Sequence, residues 1–176
     1  MKMRLLCVLS SYVCIILLSF SCSMFGDLLQ ISFSTDYQEV SFTVNPSEAG
    51  EYTLVEKVIQ SDINEEIEAN GGNVANLESV ILEEVILEVI TDGKNLDPLS
   101  SLQVFISAPS VPEVLIASAN NIADGAESVV FTIPSQELKS FLEGDEYTVR
   151  MTGILVESIS EEIAMKLKFR FKVTVG

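Results

Sequence analysis

From Leu29 onward, apolar side chains recur at alternate positions in short segments divided by turn residues, the pattern of strands with one buried face. Ile31 and Phe33 mark a first strand, and Val40, Phe42 and Val44 a second that Asn45-Pro46-Ser47 closes as a turn. Tyr52, Leu54 and Val58 suggest a third. The same segment also reads as a helix, because Tyr52, Val55, Ile59, Ile63 and Ile67 form a stripe at spacings of three and four. A strand to Ile59 followed by a helix reconciles the two patterns. Ser61 then serves as the N-cap, Asp62 and Glu65 suit the positive end of the dipole, and Gly71-Gly72 stops the helix. Residues 80–91 (VILEEVILEVIT) are rich in β-branched side chains and predict a long central strand, with Glu88 on its less buried side.

Farther on, Leu102, Val104 and Ile106 predict one strand, Val114 and Ile116 the next after Pro109 and Pro112, and Val129, Phe131 and Ile133 another. Ser135 stands where it could cap a short helix carrying Leu138, Phe141 and Leu142. Tyr147, Val149 and Met151 alternate with Thr148, Arg150 and Thr152, and the clearest strand is the last, with Leu167, Phe169, Phe171, Val173 and Val175. No fixed-period repeat or low-complexity segment divides residues 29–176. About nine strands and two short helices predict one all-β domain, an antiparallel β-sandwich of immunoglobulin-like or related kind.

The N-terminus follows a different rule. Lys2 and Arg4 precede the uncharged residues 5–20 (LLCVLSSYVCIILLSF), the basic and apolar regions of an export signal over residues 1–21. Those 16 residues fall short of the roughly 20 that a membrane-spanning helix needs. At their end, Ser19-Phe20-Ser21-Cys22 sets small residues three and one positions before a cysteine. Here the chain resembles a bacterial lipoprotein precursor, although Leu18 lies four residues before the Cys where that family usually has Leu at three. The resemblance implies that the leader is removed, that the Cys22 sulfur receives a diacylglyceryl group, and that residues 22–28 form a lipidated N-terminus and short tether. Ordinary signal peptidase accepts the same small residues and would cut the same bond without a lipid. Cys7 and Cys14 fall within the leader and no cysteine follows Cys22. Acylation therefore accounts for a thiol that an oxidising compartment would otherwise leave unpaired and reactive.

Composition narrows the chemistry. The 176 residues include 26 acidic and 10 basic side chains, for a net charge of −16, and neither His nor Trp. Without residues 1–21 the count becomes 26 to 8, or −18. Such a surface repels phosphate backbones, so no nucleic-acid partner is expected. The lack of His removes the usual general base, the Ser-His-Asp and Cys-His nucleophile systems and most zinc sites. No cofactor is expected. An anionic body stands off an anionic bilayer face, which suits attachment by lipid alone. No acidic run follows Cys22, which favours the periplasmic face of the outer membrane over the surface of the bacterial envelope.

One strand supplies the sharpest candidate site. Lys166, Lys168, Arg170 and Lys172 alternate with apolar residues, so four cations share one face of the last strand. They could hold an anion or an acidic partner, or they could face acidic residues on neighbouring strands and guard an edge. Asp62, Asn64 and Glu66 have the alternation of a calcium loop, but Ile67 stands where that loop needs Gly, so the segment reads as helix and no metal is expected. Asp92-Gly93 and Asp97-Pro98 are turn chemistry before they are calcium ligands. Glu83-Glu84, Glu161-Glu162 and Glu143-Gly144-Asp145-Glu146 supply carboxylates without the aromatic platform that sugar hydrolysis favours.

The leading expectation is therefore a lipid-anchored, non-enzymatic binding or assembly module of the bacterial cell envelope, with the membrane and an unidentified envelope protein or ligand as partners. Three alternatives carry their own structural signatures. A carrier of an apolar ligand needs an open sandwich interior. A fimbrial or adhesin-type subunit needs a removable terminal strand or an unpaired edge. A carboxylate-dependent hydrolase needs two acids in a cleft, one retaining its proton.

Overall fold

The computed structural model describes residues 30–176, and the expected leader, Cys22 and the expected tether over residues 22–28 lie outside them. In chain order the elements are β1 (Ile31–Ser34), β2 (Gln38–Val44), β3 (Gly50–Gln60), α1 (Ile63–Ala69), a 3₁₀ turn (Val74–Asn76), β4 (Leu77–Val89), β5 (Leu99–Ala108), β6 (Val111–Asn120), β7 (Ser128–Val130), α2 (Lys139–Leu142), β8 (Glu146–Leu155) and β9 (Ile163–Val175). Two sheets form a sandwich. One has five strands in the order β1-β9-β4-β7 with β2 also paired to β9, and the other has the order β3-β8-β5-β6. The nine strands, two short helices and all-β class agree with the sequence pattern.

β9 organises the first sheet. Its odd-numbered side chains from Ile163 to Val175 are buried and its even-numbered ones reach the surface, as a period of two requires. β4 pairs along one flank, from Leu77 opposite Val175 to Val89 opposite Met165, and β2 pairs along part of the other. β1 extends that second flank: Ser32 meets Thr174 through their hydroxyls, and the Thr35 N–H donates to the Phe171 carbonyl at 2.8 Å. Between β1 and β2 the Thr35 hydroxyl accepts from the Phe171 N–H at 3.1 Å. A side chain thus completes the ladder where the edge strand breaks, which satisfies a buried donor. Phe169 and Phe171 pack edge-to-face at 5.7 Å, and Tyr147 of the opposite sheet meets Phe171 at 6.3 Å. The inward residues of both sheets form one continuous core.

Four local expectations are corrected. In β3 the register shifts between Thr53 and Val55, so the alternation does not run through Tyr52, Leu54 and Val58. Val58 faces outward, 53% exposed, while Lys57 takes an inward register position opposite Val149. The bulge seats Leu54 over Gly153, where an added Cβ would lie 2.7 Å from Leu54 Cδ1. Helix α1 is not capped by Ser61: Asp62 holds the N-cap position without a side-chain bond to the helix, its carboxylate accepting from Gln38 at 2.6 Å, and the Ser61 hydroxyl donates to the Leu142 carbonyl at 2.6 Å. Its C-terminus does stop at the glycines. Gly71, at φ 77°, donates to Glu68 and Gly72 donates to Ile67, a Schellman arrangement.

Ser135 likewise caps nothing. The first turn of α2 is held by Glu137, whose Oε1 accepts from the backbone N–H of Lys139 and of Val80 at 2.9 and 2.8 Å. Finally, the strand expected through Val129, Phe131 and Ile133 ends at Val130. Phe131 still donates to the Val85 carbonyl of the first sheet, but Thr132 exchanges two backbone bonds with Ser118 of the second. The segment crosses between the sheets and closes that side of the sandwich.

Candidate functional site

The β9 cations share a face, as the alternation predicts, and carboxylates on both flanking strands meet them. The Glu39 side chain of β2 accepts from Lys166 at 2.8 Å and lies 4.0 Å from Lys168. Glu88 of β4 contacts Lys168 at 2.7 Å, and Arg170 reaches Glu83 and Glu84 at 3.2 and 3.1 Å. The Arg170 Nε lies near Glu83 without the alignment of a hydrogen bond. Its guanidinium also stacks under the Tyr37 ring at 4.9 Å, and the Tyr37 hydroxyl donates to Glu84. The bond from Lys166 holds the Glu39 carboxyl below its ordinary range, and the bond to Glu88 raises Lys168. Lys172 is exposed opposite Ile81 and takes part in no ion pair among the described residues. Three of the four cations thus meet four carboxylates, and Lys172 stands apart from them.

The loops at the far end of the sandwich, where β9 begins, are tied to one another. Lys94 pairs with Glu161 at 2.5 Å, Ser158 donates to Glu48 at 2.8 Å, and Ser47 and Ile159 form a two-bond bridge. Asp97, a turn residue in the sequence reading, accepts from the Gly125 N–H at 2.5 Å and from Asn95 at 2.8 Å. Its oxygens organise loops. Among the described residues no group of three or more His, Cys, Asp or Glu is placed to hold a metal ion.

At the near end, where β9 finishes, a cleft of about 480 Å³ opens beside the second sheet. It is lined by Ala108, Pro109, Ser110 and Val111 at the β5–β6 turn, Ser140 of α2, Gly144 and Asp145 of the following loop, Glu146 at the start of β8, and Gln60 at the end of β3. Two backbone facts position it. Antiparallel pairing sets Gln60 opposite Glu146, and the Ser61 N–H donates to the Asp145 carbonyl at 2.9 Å. The Asp145 and Glu146 carboxylates join no ion pair among the described residues, and neither do the Ser110 and Ser140 hydroxyls find a hydrogen-bond partner there. The Gln60 amide reaches Glu146 only at 3.4 Å. The nearest lysine in sequence, Lys139, is committed elsewhere: its Nζ donates to the Leu77 carbonyl at 2.6 Å and lies 3.5 Å from Glu143.

In the sequence Asp145 and Glu146 stand only within an acidic run and Pro109 only as a breaker, and nothing local joins them. The turn and the loop are more than thirty residues apart in the chain, and the β5–β8 pairing brings their ends together.

No protein-family model matches this chain, and no curated protein matches it. Two solved structures are similar in chain path, each with a TM-score of 0.33 and 10% identity over 78% of this chain. One is a structure of Triatoma virus; the other concerns the promiscuous specificity of carbohydrate-binding modules from the β-sandwich superfamily. The chain spans 63% and 54% of their respective lengths. At that likeness neither protein's binding behaviour carries over.

Proposed function

We propose that this protein is a lipid-anchored module of the bacterial cell envelope that acts by binding or assembly instead of turnover. The observation that carries the reading is Cys22, which follows small residues at the end of an export leader and precedes a chain without another cysteine. On β9, Lys166, Lys168 and Arg170 serve the domain's own surface. The carrier alternative gains no support from the sandwich, because the space between the sheets is filled by a continuous core.

The test is the intact mass of the N-terminal peptide from detergent-extracted protein. The expected result is Cys22 at the N-terminus carrying thioether-linked diacylglycerol, with Cys22→Ser moving the protein to the soluble fraction. A free Cys22 thiol on the mature product would overturn the anchor.

A further inference from the structure

Asparagine or aspartate stands before glycine at three places in the chain: Asn70-Gly71, Asp92-Gly93 and Asp124-Gly125. Glycine lacks the Cβ that would shield its own nitrogen, so at such a pair the backbone N can reach the preceding side-chain carbonyl carbon. Asn70, Asp92 and Asp124 are all exposed, so exposure does not separate them. The backbone donors do. The Gly71 N–H donates to the Glu68 carbonyl at 3.0 Å, and the Asn70 amide donates to the Glu66 carbonyl at 2.8 Å. The two Asp-Gly pairs sit in matching turns. Residues 91–94 close by a backbone bond of 3.2 Å and residues 123–126 by one of 3.1 Å, with Gly93 at φ 69° and Gly125 at φ 72° in the third position. At that glycine the turns part company: the Gly125 N–H donates to Asp97 Oδ1 at 2.5 Å, while the Gly93 N–H has no partner among the described residues.

We infer that Asp92 is a site of spontaneous main-chain isomerisation and that Asp97 protects Asp124 from the same reaction. At Asp92 the Gly93 nitrogen bonds to Cγ, its proton and a carboxyl hydroxyl leave as water, and a five-membered imide closes. Water then reopens the ring. Breaking the nitrogen's bond to Cγ restores aspartate; breaking its bond to the original main-chain carbonyl leaves isoaspartate, with the chain running through the β-carboxyl and no net change in mass. Water is the sole co-reactant. At Gly125 the proton that must leave is held by a charge-assisted bond, and the negative charge of Asp97 opposes an amide anion forming beside it. Isoaspartate adds one carbon to the main chain between Thr91, whose hydroxyl accepts from the Ala164 N–H, and Lys94, which pairs with Glu161. The modification thus falls on the two contacts that tie this turn to β9 and the loop before it.

The experiment incubates the full chain in detergent near neutral pH in oxygen-18 water and maps its peptides over time. Each ring opening inserts one solvent oxygen, and electron-transfer fragmentation separates isoaspartate from aspartate. The Asp92 peptide is expected to take up label roughly tenfold or more faster than the Asp124 peptide, the factor that a hydrogen bond to a charged group is worth. Asn70 should stay unconverted over the same interval. Asp97→Ala should raise uptake at Asp124 to the level at Asp92. In urea, where neither turn persists, the two peptides of the unaltered chain should label at comparable rates. Equal uptake in the folded protein, faster uptake at Asp124, a difference that persists in urea, conversion of Asn70 ahead of Asp92, or an unmoved Asp124 rate in folded Asp97→Ala protein would each overturn the inference.

Discussion

Two side chains do structural work that their residue types do not announce. Thr35, 6% exposed, is the only buried polar residue among those described. Its hydroxyl is the acceptor for the Phe171 N–H where the edge strand breaks. Thr35→Val keeps the shape and removes the acceptor, leaving a backbone donor orphaned in the first sheet. Such a loss costs about 1–3 kcal/mol, and chemical denaturation should show it, with Thr35→Ser recovering most of the stability. Glu137 presents a titration instead. Partial burial pushes its carboxyl upward, but bonds from Ser79, Val80 and Lys139 together bring it below the usual carboxylate range. A folded pKa below the unfolded value of about 4.3 gives stability that is present above that value and lost as pH falls through the folded pKa. Glu137→Gln should therefore lower the melting temperature at pH 7 and flatten its fall below about pH 4.5. An acid limb of unchanged steepness would remove Glu137 from that account.

At the scale of elements, legibility in the sequence tracked how completely a strand is paired. β9 was readable from end to end because both flanks are occupied and one face is buried throughout, so nothing interrupts its period of two. β3 was misread past Thr53 because it pairs on one side only, and a bulge there shifts its register at no cost to a second neighbour. The same bulge and the inward-set Lys57 suit an edge that must not recruit another strand. Helix ends were misread for a related reason: Ser61 and Ser135 have the chemistry of caps, but tertiary partners took Ser61, and Glu137 did the capping at α2. The near-end cleft left no trace in local pattern, since its lining residues meet through the β5–β8 and β3–β8 registers and not through proximity in the chain. If β9 is the organising strand, truncating its aromatic pair should be the costliest change. Phe171→Ala is expected to destabilise by about 3–5 kcal/mol. The exposed Val58→Ala should cost under about 0.5 kcal/mol, measured by urea denaturation of both variants.

Across the whole molecule, charge is sorted along the strand direction. Six of the eight described cations lie on strands: Lys57, Arg150, Lys166, Lys168, Arg170 and Lys172. The loops of the far end carry Glu48, Asp92, Asp97, Asp124, Glu127, Glu157, Glu161 and Glu162 against Lys94 alone. The near end carries Asp62, Glu65, Glu66, Glu68, Glu137, Glu143 and Asp145 against Lys139. Salt therefore acts in two opposed ways. It weakens the sheet-face ion pairs, each worth about 0–1 kcal/mol when exposed, and it relieves repulsion among carboxylates crowded at the two ends. The Arg150–Glu113 pair shows how little the first effect removes: the guanidinium also stacks on Phe105 at 4.4 Å, a contact that persists when the charge is screened. Relief at the ends should win. The melting temperature should rise between about 20 and 500 mM NaCl, over which the Debye length falls from roughly 20 to 4 Å. Replacing Glu157 and Glu162 together by Gln should reproduce part of that rise at low salt. A melting temperature that fell with added salt would mean that the paired faces, and not the unpaired ends, set the electrostatic balance of the fold.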